Sequence, residues 1–60
     1  MIRIYTTFKK HNGTRTVIDH DSYVATKPED CRDSVDRMAF ELALEMDKTV
    51  TLGCVTAEII

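Results

Sequence analysis

The stretch of chain that decides the fold is IRIYTTFKKHNG, residues 2–13. Its first part alternates, with Ile2, Ile4 and Phe8 on one parity and polar residues between them, which is the period of a half-buried β-strand. The closing Asn-Gly pair is a strong hairpin signal because both residues tolerate positive φ. The stretch therefore predicts a strand, a tight turn and a second, antiparallel strand, in a hairpin that we expect to span residues 1–25.

The register of this hairpin depends on the length of its loop. A two-residue Asn-Gly loop would place Asp21 opposite Ile4, which puts a charge on the core face. A three-residue loop that adds the next threonine places Ser22 there instead. Because a slip of one residue moves every side chain to the other face, we prefer the three-residue loop. Tyr5 and Tyr23 then share the solvent face of the sheet.

A helix is predicted over residues 27–47. Thr26 is a suitable N-cap, Glu29 completes a capping box, and Pro28 lies in the first turn, where the missing N–H has no cost. One apolar stripe at helical spacing is expected to pack on the sheet. Its members are Cys31, Val35, Met38, Ala39, Leu42 and Met46.

Residues 48–56 predict a further strand, in which Gly53 is interpreted as a bulge. A right-handed crossover most simply places this strand beside the first strand and antiparallel to it. The expected fold class is α+β with the element order ββαβ. It has a three-stranded antiparallel-type sheet in the order 2-1-3 and one helix packed on one face. We expect residues 1–60 to form a single domain.

Composition limits the classes of protein that fit. The chain has 60 residues, of which 43% are hydrophobic and 30% charged, and this balance is typical of a globular domain rather than a disordered chain. A chain this short buries little surface, so association with a second chain is a natural route to stability. No apolar run or signal-like start is present, and two cysteines are too few for a secreted disulfide scaffold. We expect a cytoplasmic protein with no membrane association.

Phe40 and Leu44 form the first candidate binding site. They are four residues apart and point away from the predicted packing stripe, so we expect them to be exposed and adjacent. Three interpretations remain open: the pair contacts a second copy, contacts a foreign partner, or is core because the helix rolls. The charged residues expected around this patch are Asp33, Asp36, Arg37 and Asp47.

The basic hairpin and the open sheet face form the alternative site. Cations next to exposed aromatic rings are typical of single-stranded nucleic-acid binding, because bases stack on rings while cations follow phosphates. An ordinary solvated sheet face has the same composition. The residues of this site are Arg3, Tyr5, Lys9, Lys10, Arg15 and Tyr23.

No cofactor, metal site or catalytic residue is predicted. The chain lacks the closely spaced Cys and His pairs of zinc sites, a nucleophile elbow and a glycine-rich phosphate loop. Cys31 and Cys54 lie on apolar positions and are expected to be buried thiols.

These patterns favour a small non-enzymatic interaction or regulatory module that forms a homodimer. In size it is similar to small bacterial and phage-encoded accessory or inhibitory factors that act on a larger protein. The alternative is a weak nucleic-acid-binding protein.

Overall fold

A computed structural model describes all 60 residues and has an antiparallel sheet with one α-helix on one face. The strands are β1 (Ile2–Asn12), β2 (Arg15–Ala25), β3 (Val50–Leu52) and β4 (Val55–Ile59). The helix α1 spans Ser34–Met46, and a single 3₁₀ turn, Pro28–Asp30, precedes it. The predicted α+β class with one helix and an antiparallel sheet is confirmed.

The sheet has four strands in the order β2-β1-β4-β3, so the predicted count of three is wrong. The reason is Gly53, which has a φ of +60° and forms a two-residue turn with Cys54. This turn divides the expected last strand into β3 and β4, which pair with each other. The expected neighbour of β1 is nevertheless present, because β4 pairs with β1 antiparallel.

The loop between β1 and β2 contains Gly13 and Thr14, with Asn12 paired to Arg15. Neither register considered from the sequence is therefore correct. Gly13 has a φ of +67°, which suits the first position of a type II′ turn. The shift places Tyr23 opposite Ile4. Tyr23 consequently faces the helix and does not share the solvent face with Tyr5.

The helix begins later than predicted because a different side chain caps it. Asp30, not Glu29, closes the preceding turn: its carboxylate accepts from the backbone N–H of Thr26 at 3.1 Å and of Lys27 at 3.3 Å. The chain is then extended at Cys31, and Asp33 acts as the N-cap of α1 by accepting from the N–H of Ser34. The C-terminal end agrees with the prediction to within one residue.

The core consists of eight apolar residues. The helix supplies Ala39, Phe40 and Ala43, and packs mainly on β4 and β3. The predicted packing stripe is correct for Ala39, which is in the core, and for Cys31, which packs against it. It is wrong for Val35, Met38 and Met46, which are 42%, 56% and 50% exposed. The remaining core members are Ile2, Ile4, Ala25, Val55 and Ala57.

Candidate protein-binding site

A long hairpin projects from the body of the molecule. Both β1 and β2 have 11 residues, yet β4 pairs with β1 only over residues 2–6. The segment 8–19, called the arm below, is therefore a two-stranded ribbon without a third strand or a helix over it. At about 3.4 Å per residue, the five strand residues of each limb extend it by roughly 17 Å. The molecule is correspondingly elongated, with extents of 42 × 19 × 18 Å.

The arm carries three large apolar side chains that remain in contact with solvent. Phe8 is 44% exposed and Val17 41%, and both lie on the same face as the helix but beyond its end. Ile18 lies on the opposite face and is 67% exposed. A ribbon with solvent-exposed apolar side chains on both faces is typical of a segment that binds another chain.

An open depression of about 240 Å³ lies at the root of the arm, where the turn between β3 and β4 meets β1. Phe8, Ile18 and Cys54 supply its apolar lining, with Thr7 and Lys9 at its sides. It is large enough for a side chain from a partner and is open to solvent.

The cations of the arm have no acidic partner within the chain. Lys9, Lys10 and Arg15 take part in none of the salt bridges, which join Arg3, Arg32 and Arg37 to acids elsewhere. Because exposed ion pairs contribute little to the free energy of unfolding, the lack of acidic partners for these cations does not weaken the fold. They leave a positive charge at the end of the ribbon.

The outer edge of β2 has unpaired backbone groups. The N–H of Thr7 donates to the carbonyl of Cys54, so the odd residues of β1 face β4 and its even residues face β2. By the same alternation the even residues of β2, including Thr16 and Ile18, direct N–H and C=O groups outward. One of these groups is satisfied locally, since the N–H of His20 donates to the carboxylate of Asp19 at 2.8 Å.

A cluster of hydrogen-bonded polar side chains joins β2 to the start of the helix. The hydroxyl of Tyr23 donates to the carboxylate of Asp36 at 2.5 Å and accepts from the N–H of Arg32 at 3.0 Å. The guanidinium of Arg32 lies 4.2 Å from the centre of the Tyr23 ring and 3.0 Å from Asp21. Asp36 is in the first turn of α1, where the helix dipole stabilises negative charge. This cluster holds the loop, the helix and the hairpin together.

The pKa values of this cluster follow from its burial. Loss of solvent, followed by the hydrogen bond to Asp36, raises the pKa of Tyr23 to about 12. Burial likewise raises the pKa of the Cys31 thiol, with the Asp36 charge as the next cause. Both groups therefore stay protonated at neutral pH, and the tyrosine acts as a hydrogen-bond donor rather than as a base.

The predicted binding patch on the helix does not form. Phe40 is only 1% exposed, because the helix turns it between two alanines and onto the sheet. Leu44 alone remains on the surface, 57% exposed. Of the three interpretations of this pair, the structure thus places Phe40 in the core.

The charged residues expected around that patch have separate structural places. Asp36 is buried, 6% exposed, against Tyr23. Arg37 forms an exposed pair with Glu41, and Asp33 caps the helix. Asp47 follows the last turn with a φ of +52°, in the left-handed region. None of the four makes contact with a common patch.

The residues of the alternative site are divided between the two faces of the sheet. Tyr5 lies on the open face, where its ring stacks on His20 with centroids 5.5 Å apart and its hydroxyl is 2.7 Å from Nδ1. Arg3 is beside it and pairs with Glu58 at 3.6 Å. Tyr23 lies on the opposite face, so the expected pair of tyrosines is not a shared platform.

Neither cysteine forms a disulfide, and Cys54 is exposed although both thiols were expected to be buried. Cys31 is half-buried against the core, whereas Cys54 is exposed in the turn between β3 and β4. No three side chains of the His, Cys, Asp and Glu types come together in a group suited to a metal ion.

Phe8 and Ile18 are the residues of the arm whose exposure the sequence pattern did not predict. The signal that reveals them is the length of the hairpin: the strand pattern continues well past the last residue that a short third strand can cover. Comparisons with protein-family models, curated proteins and solved structures find no match. The helix α1, with 13 residues, is not of a length and apolar character to cross a membrane.

Proposed function

We propose that this chain is a non-enzymatic protein-interaction module that binds its partner through the arm. The observation that carries the proposal is the exposure of Phe8, Val17 and Ile18 on a projecting ribbon that contributes nothing to the core. An accessory or regulatory role towards a larger protein, and a cytoplasmic location in which both thiols stay reduced, belong to the same proposal.

Two features support recognition of a protein. A strand edge with free N–H and C=O groups accepts an extended segment from another chain, with backbone bonds giving affinity and side-chain pockets giving specificity. The depression beside Phe8 and Cys54 is placed to receive such a side chain. Apolar residues on both faces of the ribbon would be covered at the same time.

Photo-cross-linking tests this function. A photoreactive phenylalanine analogue replaces Phe8 in the arm, and in a matched control it replaces Glu45, an exposed helix residue outside the arm. In a lysate of the source cells, we expect discrete cross-linked products from the arm position only. Excess unlabelled chain should remove them, and excess Ile18→Asp chain should not. The same products from both positions would refute the role of the arm.

Nucleic-acid binding is the second candidate, and one observation favours it. Lys9, Lys10 and Arg15 are free of ion pairs at the end of a two-stranded ribbon, an element that fits the major groove of DNA. Three cations neutralise few phosphates, so the expected binding is weak and strongly salt-dependent. Fluorescence anisotropy with labelled single- and double-stranded DNA, at low and physiological salt, tests it. Binding at low salt that Lys10→Glu leaves unchanged would exclude this mode.

A further inference from the structure

The arm lacks the support that a two-stranded ribbon needs. Isolated hairpins are only marginally stable in water, whereas three or more strands with a covered apolar face are stable. Here residues 8–19 have neither a third strand nor a helix above them, and their apolar side chains remain exposed. A partner that adds strands to the arm would supply the missing backbone hydrogen bonds and new cross-strand side-chain contacts.

The two edges of the arm differ in their ability to accept a second copy. On the β1 edge, antiparallel pairing centred on Lys9 or Lys10 brings these cations close to the same cations of the partner, and like charges opposite one another are destabilising. On the β2 edge the order is Arg15, Val17, Asp19 on one face. When two copies of β2 pair antiparallel about Val17, this order places Arg15 of each copy opposite Asp19 of the other, so the edge is self-complementary.

We propose that the partner of the arm is a second copy of this chain, with the two β2 strands paired antiparallel about Val17. The inference rests on the proposed function and names its partner. In this register Val17 faces its own copy across the two-fold axis. Arg15 of each chain faces Asp19 of the other, and Thr16 faces Ile18.

The alternation of backbone groups agrees with this register. Thr16 and Ile18 both direct N–H and C=O outward, so they form the hydrogen-bonded pairs of the new ladder. Val17 and the Arg15–Asp19 pairs then occupy non-hydrogen-bonded positions, where Cα atoms are about 4.5 Å apart and side chains meet most closely. Neither Arg15 nor Asp19 has an ion-pair partner within its own chain.

The proposed ladder ends at Ile18, because the next outward N–H of β2 already has an acceptor within its own chain. The next outward N–H after Ile18 is that of His20, and the Asp19 carboxylate accepts it at 2.8 Å. The other oxygen of the same carboxylate remains available to Arg15 of the second copy. A local hydrogen bond of this kind stops strand addition from continuing along β2.

Pairing in this way gives Val17 and Ile18 of the arm cross-strand contacts with the other chain, whereas Phe8 lies on β1, away from the new edge. The two ribbons become one four-stranded sheet. Across its helix-side face, Val17 of one chain contacts Val17 of the other, with Lys10 of each chain on the outside of this pair and Phe8 in the next row, beside Asp19. The Arg15–Asp19 pairs lie on either side of the two valines. The bodies are at opposite ends, so the helices do not obstruct the contact.

Sedimentation equilibrium over the micromolar to millimolar range tests the proposal with two charge variants. Arg15→Asp and Asp19→Arg each place like charges opposite one another twice in the dimer, so each should dissociate at least about tenfold more readily than the wild-type chain. An equimolar mixture of the two variants restores opposite charges at both positions. We therefore expect the mixture to form a heterodimer of near wild-type affinity, a result that a folding defect does not produce.

A proline pair provides the backbone control. Thr16→Pro removes an outward N–H inside the proposed ladder, and Ser22→Pro removes one on the same edge outside it; the intrachain ladder uses neither. We expect only Thr16→Pro to abolish the dimer, with circular dichroism confirming that both variants fold. A dimer insensitive to the charge variants and to Thr16→Pro would overturn the proposal by showing a different interface. A monomeric wild-type chain would overturn it as well, whereas the proposed function would still be tested by arm-specific cross-links to another protein.

Discussion

Replacement of Phe40 by alanine is expected to unfold most of the population. Phe40 is the largest of the side chains that are almost wholly buried, and deletion of a buried phenylalanine ring costs about 3–5 kcal/mol. Small domains have roughly 0.05–0.15 kcal/mol of stability per residue, which is about 3–9 kcal/mol for a chain of this size. The loss is therefore comparable to the whole free energy of unfolding.

Leu44 provides the matched control, because it lies one helical turn away and is 57% exposed. Leu44→Ala should change the free energy of unfolding by no more than about 0.5 kcal/mol. The assay is urea unfolding followed by far-UV circular dichroism. A milder variant, Phe40→Leu, keeps the comparison measurable if Phe40→Ala has no folded baseline. Equal midpoints for Phe40→Ala and Leu44→Ala would refute the placement of Phe40 in the core.

Three further predictions concern single contacts. Tyr23→Phe leaves the buried Asp36 carboxylate without its donor and should cost about 1.5–3 kcal/mol in urea unfolding. The pKa of Tyr23 is raised to about 12 from an unfolded value near 10, so the contribution of its hydroxyl to the free energy of unfolding is present below pH 10 and is lost as pH rises through 12. Between pH 10 and pH 12 the wild-type chain should therefore lose more stability than Tyr23→Phe. Asp47→Gly relieves a left-handed backbone at φ +52° and should raise the melting temperature, with a gain of about 0.5–1 kcal/mol; no gain would show that the aspartate side chain compensates. Asp33→Ala removes the N-cap of α1 and should cost about 1 kcal/mol in the same unfolding assay, whereas Asp33→Asn should cost much less.

The strand and helix content could be predicted from local pattern, but the phase of the helix could not. Apolar residues occupy so many positions between Val35 and Met46 that two different faces satisfy the helical period. Packing distance decides between them. Ala39 and Ala43 let the helix approach the sheet closely, and Phe40 fills the space between, so the face with more large residues is left partly exposed.

The register of the hairpin could not be predicted from the sequence, for a related reason. The three-residue loop preferred from the sequence placed Tyr23 on the solvent face, and nothing in its own segment marks it as a residue with a buried partner. The partner is Asp36, which the same reasoning placed on the rim of a surface patch. Two errors thus share one cause, since a buried polar pair between distant residues leaves no periodic signal in either segment.

The candidate site was predicted only in part. Lys9, Lys10 and Arg15 were recognised as a basic hairpin tip, and the structure places all three on the arm. Phe8, which accompanies them, was assigned to the core parity with Ile2 and Ile4, because a strand pattern shows which side chains share a face and does not show how far the covering layer extends. The short β4 and the placement of α1 over β3 and β4 determine that limit.

The division between body and arm gives the strongest reason to seek a partner. Every one of the eight core residues lies outside residues 8–19, so the arm adds no buried apolar surface to the fold. Ordering the backbone of a residue costs about 1–2 kcal/mol, and a ribbon without cover recovers little of that cost. Charge is divided in the same way: the arm carries Lys9, Lys10 and Arg15 against Asp19, which is +2, and the rest of the chain must then carry −4 to reach the net −2. When two arms lie antiparallel along β2, the basic end of each chain lies beside the acidic root of the other, and Val17 of each chain contacts Val17 of its partner. The physical chemistry of one chain accounts for the body, and an ordered arm is accounted for once its contacts with another molecule are included.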